Sequence, residues 1–190
     1  MNSENLQLRE AIHNKPDTIK LLYETHAPAL LSLCLRYCGN IEDAEDVLHD
    51  GFIKIIKYLD TFKARENGSF VGWMKRIMVN TSLNYLRDRS KENKFVDIDP
   101  LVEKIVIEEE DETDSMINPE RFSQEMVMNM ICELPAGYRT VFNMYVFEDY
   151  SHREIANSLN FSENTSKSQL SKARAMLKKK LNQVMIKQTT

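Results

Sequence analysis

The sequence predicts an all-α protein: two small helical domains, an N-terminal helical bundle and a C-terminal helix-turn-helix, joined by an acidic linker. Three observations carry this. Glycine and proline number only 5 each in 190 residues, too few for the many turns of a sheet-rich fold. Apolar residues recur three and four apart over most of the chain. Between Phe95 and Asn118 lie nine acids and one lysine, a charge of −8, in a stretch that could not bury a core of its own.

The first domain is expected over residues 16–90. It reads as helices throughout, and Leu21, Leu22, Leu30, Leu31, Leu33, Leu35 and Tyr37 supply a densely apolar first part. Asn40 caps the next helix, with acids in its first turn to oppose the helix dipole. That helix runs through Val47, Leu48, Phe52, Ile55, Ile56 and Leu59, spaced three and four apart. Asn67-Gly68-Ser69 breaks it from a further helix, Phe70 to Arg89, with Phe70, Trp73, Ile77, Leu83 and Leu86 as apolar positions. A single tryptophan on such a stripe reads first as core. The acidic linker is expected over 91–118, bracketed by Pro100 and Pro119. The second domain, 119–184, returns to helical periodicity, with Phe122, Met126, Val127, Met130 and Ile131 in one helix. Pro135 opens another through Tyr138, Val141, Phe142 and Val146. The methionines in these stripes read as core.

Composition excludes several classes. No segment approaches the run of about 20 apolar residues that spans a membrane, so no membrane insertion is expected. Met1 to Glu10 lacks the apolar heart of a signal peptide, and the expected location is cytoplasmic. Three cysteines are too few and odd for a disulfide framework. Cys34 and Cys38 share an apolar face and are expected as buried thiols. Neither metal-ligand spacing nor a Gly-rich phosphate loop is present. His13, His26, His49 and His152 are scattered. No metal, cofactor, small-molecule substrate or enzymatic activity is expected.

The strongest local signal lies between Tyr150 and Thr165. Ser151 and Glu154 make a capping box, and Ile155, Ala156 and Leu159 form one apolar side. Asn160 suits a left-handed turn, Phe161 plugs it, and Ser162 caps a second helix with Ser166, Leu170, Ala173 and Leu177 inward. This is a helix-turn-helix. The outward face, Asn164, Lys167, Ser168, Ser171, Lys172 and Arg174, is short, polar or cationic, and no acid occurs from Asn164 to Lys180. A solvated face mixes both signs; this one fits DNA. From Tyr150 onward eight bases face two acids, a balance of +6 inside a chain of −4.

Leu134-Pro-Ala-Gly-Tyr-Arg-Thr-Val-Phe142, Ile155-Ala156 and Ser162-Glu-Asn-Thr-Ser-Lys-Ser-Gln-Leu-Ser-Lys-Ala-Arg174 together resemble region 4 of the extracytoplasmic-function sigma factors. Asp43-Ala-Glu-Asp-Val-Leu-His-Asp-Gly-Phe52 resembles their region 2.2. Phe70-Val-Gly-Trp-Met-Lys-Arg-Ile-Met-Val-Asn-Thr-Ser-Leu-Asn-Tyr-Leu-Arg87 resembles regions 2.3 and 2.4. The three occur in the family's order.

The resemblance implies function residue by residue. Asp43, Asp46, His49 and Asp50 would dock on the coiled coil of the largest subunit of core RNA polymerase, with His49 standing where sigma factors usually carry glutamine. Lys63, Arg65, Asn67 and Ser69 would form the loop that captures a flipped −10 base, with Asn80 at the pocket and Lys75 and Arg76 near the backbone. Such cationic, pocketed surfaces suit single-stranded DNA. Thr165, Lys167, Ser168, Gln169, Ser171, Lys172 and Arg174 would meet the −35 element. The acidic linker would thread the polymerase toward its active-site and RNA-exit channels. Core RNA polymerase, promoter DNA and an anti-sigma factor are the implied partners. The competing reading is a helix-turn-helix regulator that does not join core polymerase.

Overall fold

The structure, a computed structural model, describes residues 16–63, 69–92 and 122–189. Every element among them is helical, and the chain divides into two compact units between Glu92 and Asn93. The acidic segment lies outside the described residues, except that positions 91 and 92 extend the helix before it.

Among the described residues the first unit packs three α-helices: α1 (Pro16–Cys38), α2 (Ile41–Tyr58) and α3 (Phe70–Glu92). Pro28 sits inside α1. Gly39, at φ 87°, ends α1 in the left-handed region that glycine enters without steric cost. Asn40 then caps α2 as expected, its side chain accepting from the Asp43 amide at 2.9 Å. Leu30, Leu33, Cys34 and Tyr37 of α1 meet Val47, Leu48, Phe52 and Ile55 of α2 and Met74, Met78 and Val79 of α3 in one core. Cys34 and Cys38 are buried thiols; burial pushes Cys34 up to about 12, so it carries no thiolate near neutral pH.

Gly51 of α2 leaves room for the end of the Met78 side chain from α3. A Cβ there would lie 2.2 Å from the Met78 sulfur. Glycine costs about 1 kcal/mol against alanine in a helix interior; here the missing methyl is the space that Met78 fills.

After α2, a 3-10 turn (Leu59–Thr61) leads to Phe62. Phe62, Phe70 and Trp73 form an aromatic trio with ring centroids 5.2–5.6 Å apart. Trp73 is 8% exposed. It is core, as its place on the apolar stripe indicated.

The second unit contains α4 (Gln124–Cys132), α5 (Ala136–Val146), α6 (His152–Leu159) and α7 (Glu163–Thr189). Its centre includes Leu134, Tyr138 and Ala173, with Phe142, Met176 and Leu177 against them. Pro135 caps α5. Arg139 is buried yet donates to the Cys132 and Leu134 carbonyls at 2.7 and 2.9 Å, satisfying backbone acceptors left over where α4 ends.

Candidate nucleic-acid interface

The helix-turn-helix forms as its residues dictate. Ser151 and Glu154 complete a reciprocal capping box on α6. The hydrogen bonds from Ser151 hold the Glu154 carboxyl below the usual carboxylate range. Asn160 ends α6 at φ 59°, ψ 47°, and the Phe161 amide returns to the Ala156 carbonyl at 3.1 Å. Ser162 accepts from the Thr165 amide at 3.1 Å, capping α7. Ser166, Leu170 and Ala173 face inward and are buried.

Lys167, Ser168, Ser171 and Arg174 are exposed on the other side of α7. At about 100° per residue, Lys167, Ser171 and Arg174 form one narrow stripe. Lys172, Gln169 and Thr165 fall on the opposite flank and are half-buried. Lys172 lies over the Tyr138 ring, 6.0 Å from its centroid. The Gln169 amide packs against Gly137, with its carbonyl oxygen buried and unpartnered. Thr165 shares a 2.8 Å hydrogen bond with Ser162, and Ser168 donates to the Thr165 carbonyl at 3.0 Å. The seven sequence-predicted residues therefore split into an outward stripe and a flank leaning on α5.

On the first unit, Asp46, His49 and Asp50 are exposed along one side of α2. His49 touches Tyr23 of α1: the Tyr23 hydroxyl lies 3.5 Å from Nε2, and the rings are nearly parallel. Asp43 differs. It is held by Asn40 at 2.6 Å and by Arg89 from the far end of α3. Ile53, 63% exposed, extends the acidic side by one turn. Sequence periodicity passes over it, because it falls off the apolar stripe.

Of the −10 candidates, Lys63 and Ser69 stand at the two ends of a segment whose middle, with Arg65 and Asn67, lies outside the described residues. Ser69 is a helix cap, its hydroxyl accepting from the Gly72 amide at 3.1 Å. Lys75, Arg76 and Asn80 are exposed on α3, with Arg76 and Asn80 one turn apart. The aromatic trio fixes both ends of the segment between Lys63 and Ser69. Among the described residues no group of three His, Cys, Asp or Glu could hold a metal, and no helix is long and apolar enough to cross a membrane.

Three linked side-chain contacts escaped sequence reasoning. His152 was legible only as part of a capping turn; its Nδ1 lies 2.9 Å from Ser166 Oγ, and its ring stacks on Tyr145 at 4.6 Å. Tyr145 in turn lies under the Arg174 guanidinium.

Residues 22–92 match the family model for sigma-70 region 2, and residues 124–177 match that for sigma-70 region 4. The ECF RNA polymerase sigma factor SigW of Bacillus subtilis is 24% identical over 182 residues, covering 92% of this chain and 95% of that protein. The RNA polymerase sigma-H factor of Pseudomonas aeruginosa is 29% identical over 171 residues, covering 87% and 86%. The ECF RNA polymerase sigma-E factor of Escherichia coli is 28% identical over 166 residues, covering 85% of each chain. Among solved structures, the sigma factor RpoE in complex with the anti-sigma factor NepR from Bartonella quintana shares the fold, with a TM-score of 0.51 at 20% identity, over 87% of this chain and 96% of that one.

Proposed function

The chain belongs to the extracytoplasmic-function sigma factors of the sigma-70 family, and from that premise we propose how its residues divide the work. It directs core RNA polymerase to specific promoters and initiates transcription there. The regulator that stays apart from core polymerase has nothing in its favour, since residues 22–92 match region 2.

Region 2 function falls to residues 16–90 and region 4 function to 119–184, with 91–118 as the acidic tether. Asp46, His49 and Asp50 dock on the polymerase clamp, and Ile53 adds an apolar contact beside them. Asp43 keeps the N-terminus of α2 in place for that docking. Lys63, Arg65, Asn67, Ser69, Lys75, Arg76 and Asn80 serve the −10 element. Lys167, Ser168 and Ser171 read −35 bases, while Arg174 holds phosphate and Thr165, Gln169 and Lys172 support the flank. The chain adds recognition and no catalytic chemistry of its own, and it acts in the cytoplasm. An anti-sigma factor, such as the one that RpoE of Bartonella quintana is seen with, would regulate it.

One observation carries this reading. The exposed acids of α2 share one side, and the outward stripe of α7 has no acid at all. The first suits a basic protein surface and the second suits DNA. The test is capture by core polymerase without DNA, followed by transcription from a promoter library. Capture and promoter-selective transcripts are expected; a chain that binds duplex DNA but never core polymerase would overturn the assignment.

A further inference from the structure

A chain of side-chain contacts runs from the start of α6 to the outer stripe of α7. Ser166 is fully buried where α7 passes α6. Its hydroxyl lies 2.9 Å from Nδ1 of His152, the first residue of α6. The His152 ring stacks on Tyr145 of α5, with centroids 4.6 Å apart and planes within 25°. The Arg174 guanidinium lies over that same Tyr145 ring, 5.7 Å from its centroid. Three helices thus bear on one exposed guanidinium.

The physical consequence concerns order. A long arginine on a helix surface samples many rotamers, and a phosphate contact must freeze them. An aromatic face within about 6 Å attracts a guanidinium and narrows that sampling before DNA arrives. Tyr145 is itself 36% exposed, so its ring needs support, and the His152 stack supplies it. The hydrogen bond to buried Ser166 fixes the imidazole in turn.

We propose that Tyr145 and His152 are positioning residues of the −35 contact: Tyr145 pre-orders Arg174 toward the DNA backbone, and His152, tied to Ser166, holds the Tyr145 ring. This rests on the reading of Arg174 as a phosphate contact. Neither residue needs to touch DNA. The arrangement aims the charge at the end of the Lys167–Ser171–Arg174 stripe, and so sets how the recognition helix sits in the groove.

The test is the salt dependence of holoenzyme binding to a promoter duplex pool with a randomised −35 element. Loss of one phosphate contact lowers the log–log slope by about 0.9, which shrinks the affinity lost between roughly 50 and 200 mM salt by about 3.5-fold. Arg174→Ala should show this change. Tyr145→Leu should show most of it, Tyr145→Phe should restore the slope, and Tyr145→Leu with Arg174→Ala should be no worse than Arg174→Ala alone. His152→Ala should give a smaller change in the same direction. A merely structural role would lower helix stability by circular dichroism without this shared, non-additive change in slope. Should Tyr145→Leu fail to fold, Tyr145→Trp, which enlarges the ring face, should bind at least as tightly as the natural chain. A Tyr145→Leu slope equal to that of the natural chain, beside a lowered Arg174→Ala slope, overturns the positioning role alone. An unchanged Arg174→Ala slope overturns the phosphate reading and the proposal with it.

Discussion

The Arg89 guanidinium donates to the Asp43 carboxylate, joining the last turns of α3 to the first turn of α2. Tyr85 and Asn40 bond the same group. Asp43 is thus spent inside the bundle, while Asp46 and Asp50 face solvent. Asp43→Ala should cost about 1 kcal/mol, since the Arg89 side chain is half exposed and the pair is screened. The melting temperature should fall by about 4–8 °C for a unit of this size, with core-polymerase capture kept below it. Asp46→Lys with Asp50→Lys should do the reverse: helix content and melting unchanged, capture abolished. Capture retained by the double variant at moderate salt would sink the docking assignment.

The same cluster makes a pH prediction. Burial works against the Asp43 carboxylate, but hydrogen bonds from Tyr85 and Asn40 and the charge of Arg89 outweigh it and hold the pKa below the ordinary value. A lowered folded pKa means stability that is present above the unfolded value, about 3.9, and lost as pH falls through the folded one. Burial and the Asp43 contact push Tyr85 the other way, up to about 12. That contribution is present below the unfolded value, about 10, and lost as pH rises toward 12. Melts of the natural chain and Asp43→Asn should therefore converge toward pH 3 and separate at neutral pH. Tyr85→Phe should flatten the alkaline limb. The chain's one tryptophan lies in the first unit, so its fluorescence reports the acid limb there. A constant gap between the two melts down to pH 3 would contradict the assignment.

Trp73 packs against both Phe62 and Phe70. Removing so large a buried ring costs about 3–5 kcal/mol, much of the stability of a small domain. Trp73→Ala should leave the first unit largely unfolded by circular dichroism, with promoter opening lost in proportion. Trp73→Phe should keep most of the helix content and most of the opening. A Trp73→Phe chain that is fully folded but cannot open promoters would place the indole on DNA instead.

What the sequence reveals depends on range. The caps at Asn40, Ser151 and Ser162 and the left-handed turn at Asn160 are local, made of residues within five positions, and were legible. The buried stripe Ser166–Leu170–Ala173 follows from the 3.6-residue period. Contacts across 46 positions, such as Asp43 with Arg89, leave no periodic trace. Arg139 counts as one more base in the sequence, and only the fold shows that it serves the carbonyls ending α4. Gln169 and Lys172 look like groove residues by type, yet lean on α5 because Gly137 and Tyr138 lie beneath them. Spacing alone did not indicate which flank of α7 another helix would cover.

That division of α7 sharpens the prediction for the −35 element. Lys167 lies in the second turn of α7, after the Ser162 cap, where groove-bound recognition helices touch base edges. Ser171 follows one turn later on the same stripe and is short enough to let the helix sit deep. A lost base contact costs about 1–3 kcal/mol at one position, roughly 5- to 150-fold. Lys167→Ala and Ser171→Ala should therefore flatten the preference at particular −35 bases. Lys172→Ala should act differently from Lys167→Ala, because its ammonium already lies over the Tyr138 ring. Its removal should weaken binding to all sequences alike, with a small loss of stability from the cation–π contact. Transcription by each variant holoenzyme from a library of −35 sequences separates the two behaviours. If Lys172→Ala rewrites the base preference while Lys167→Ala lowers every signal evenly, the reading flank of α7 is the one that leans on α5.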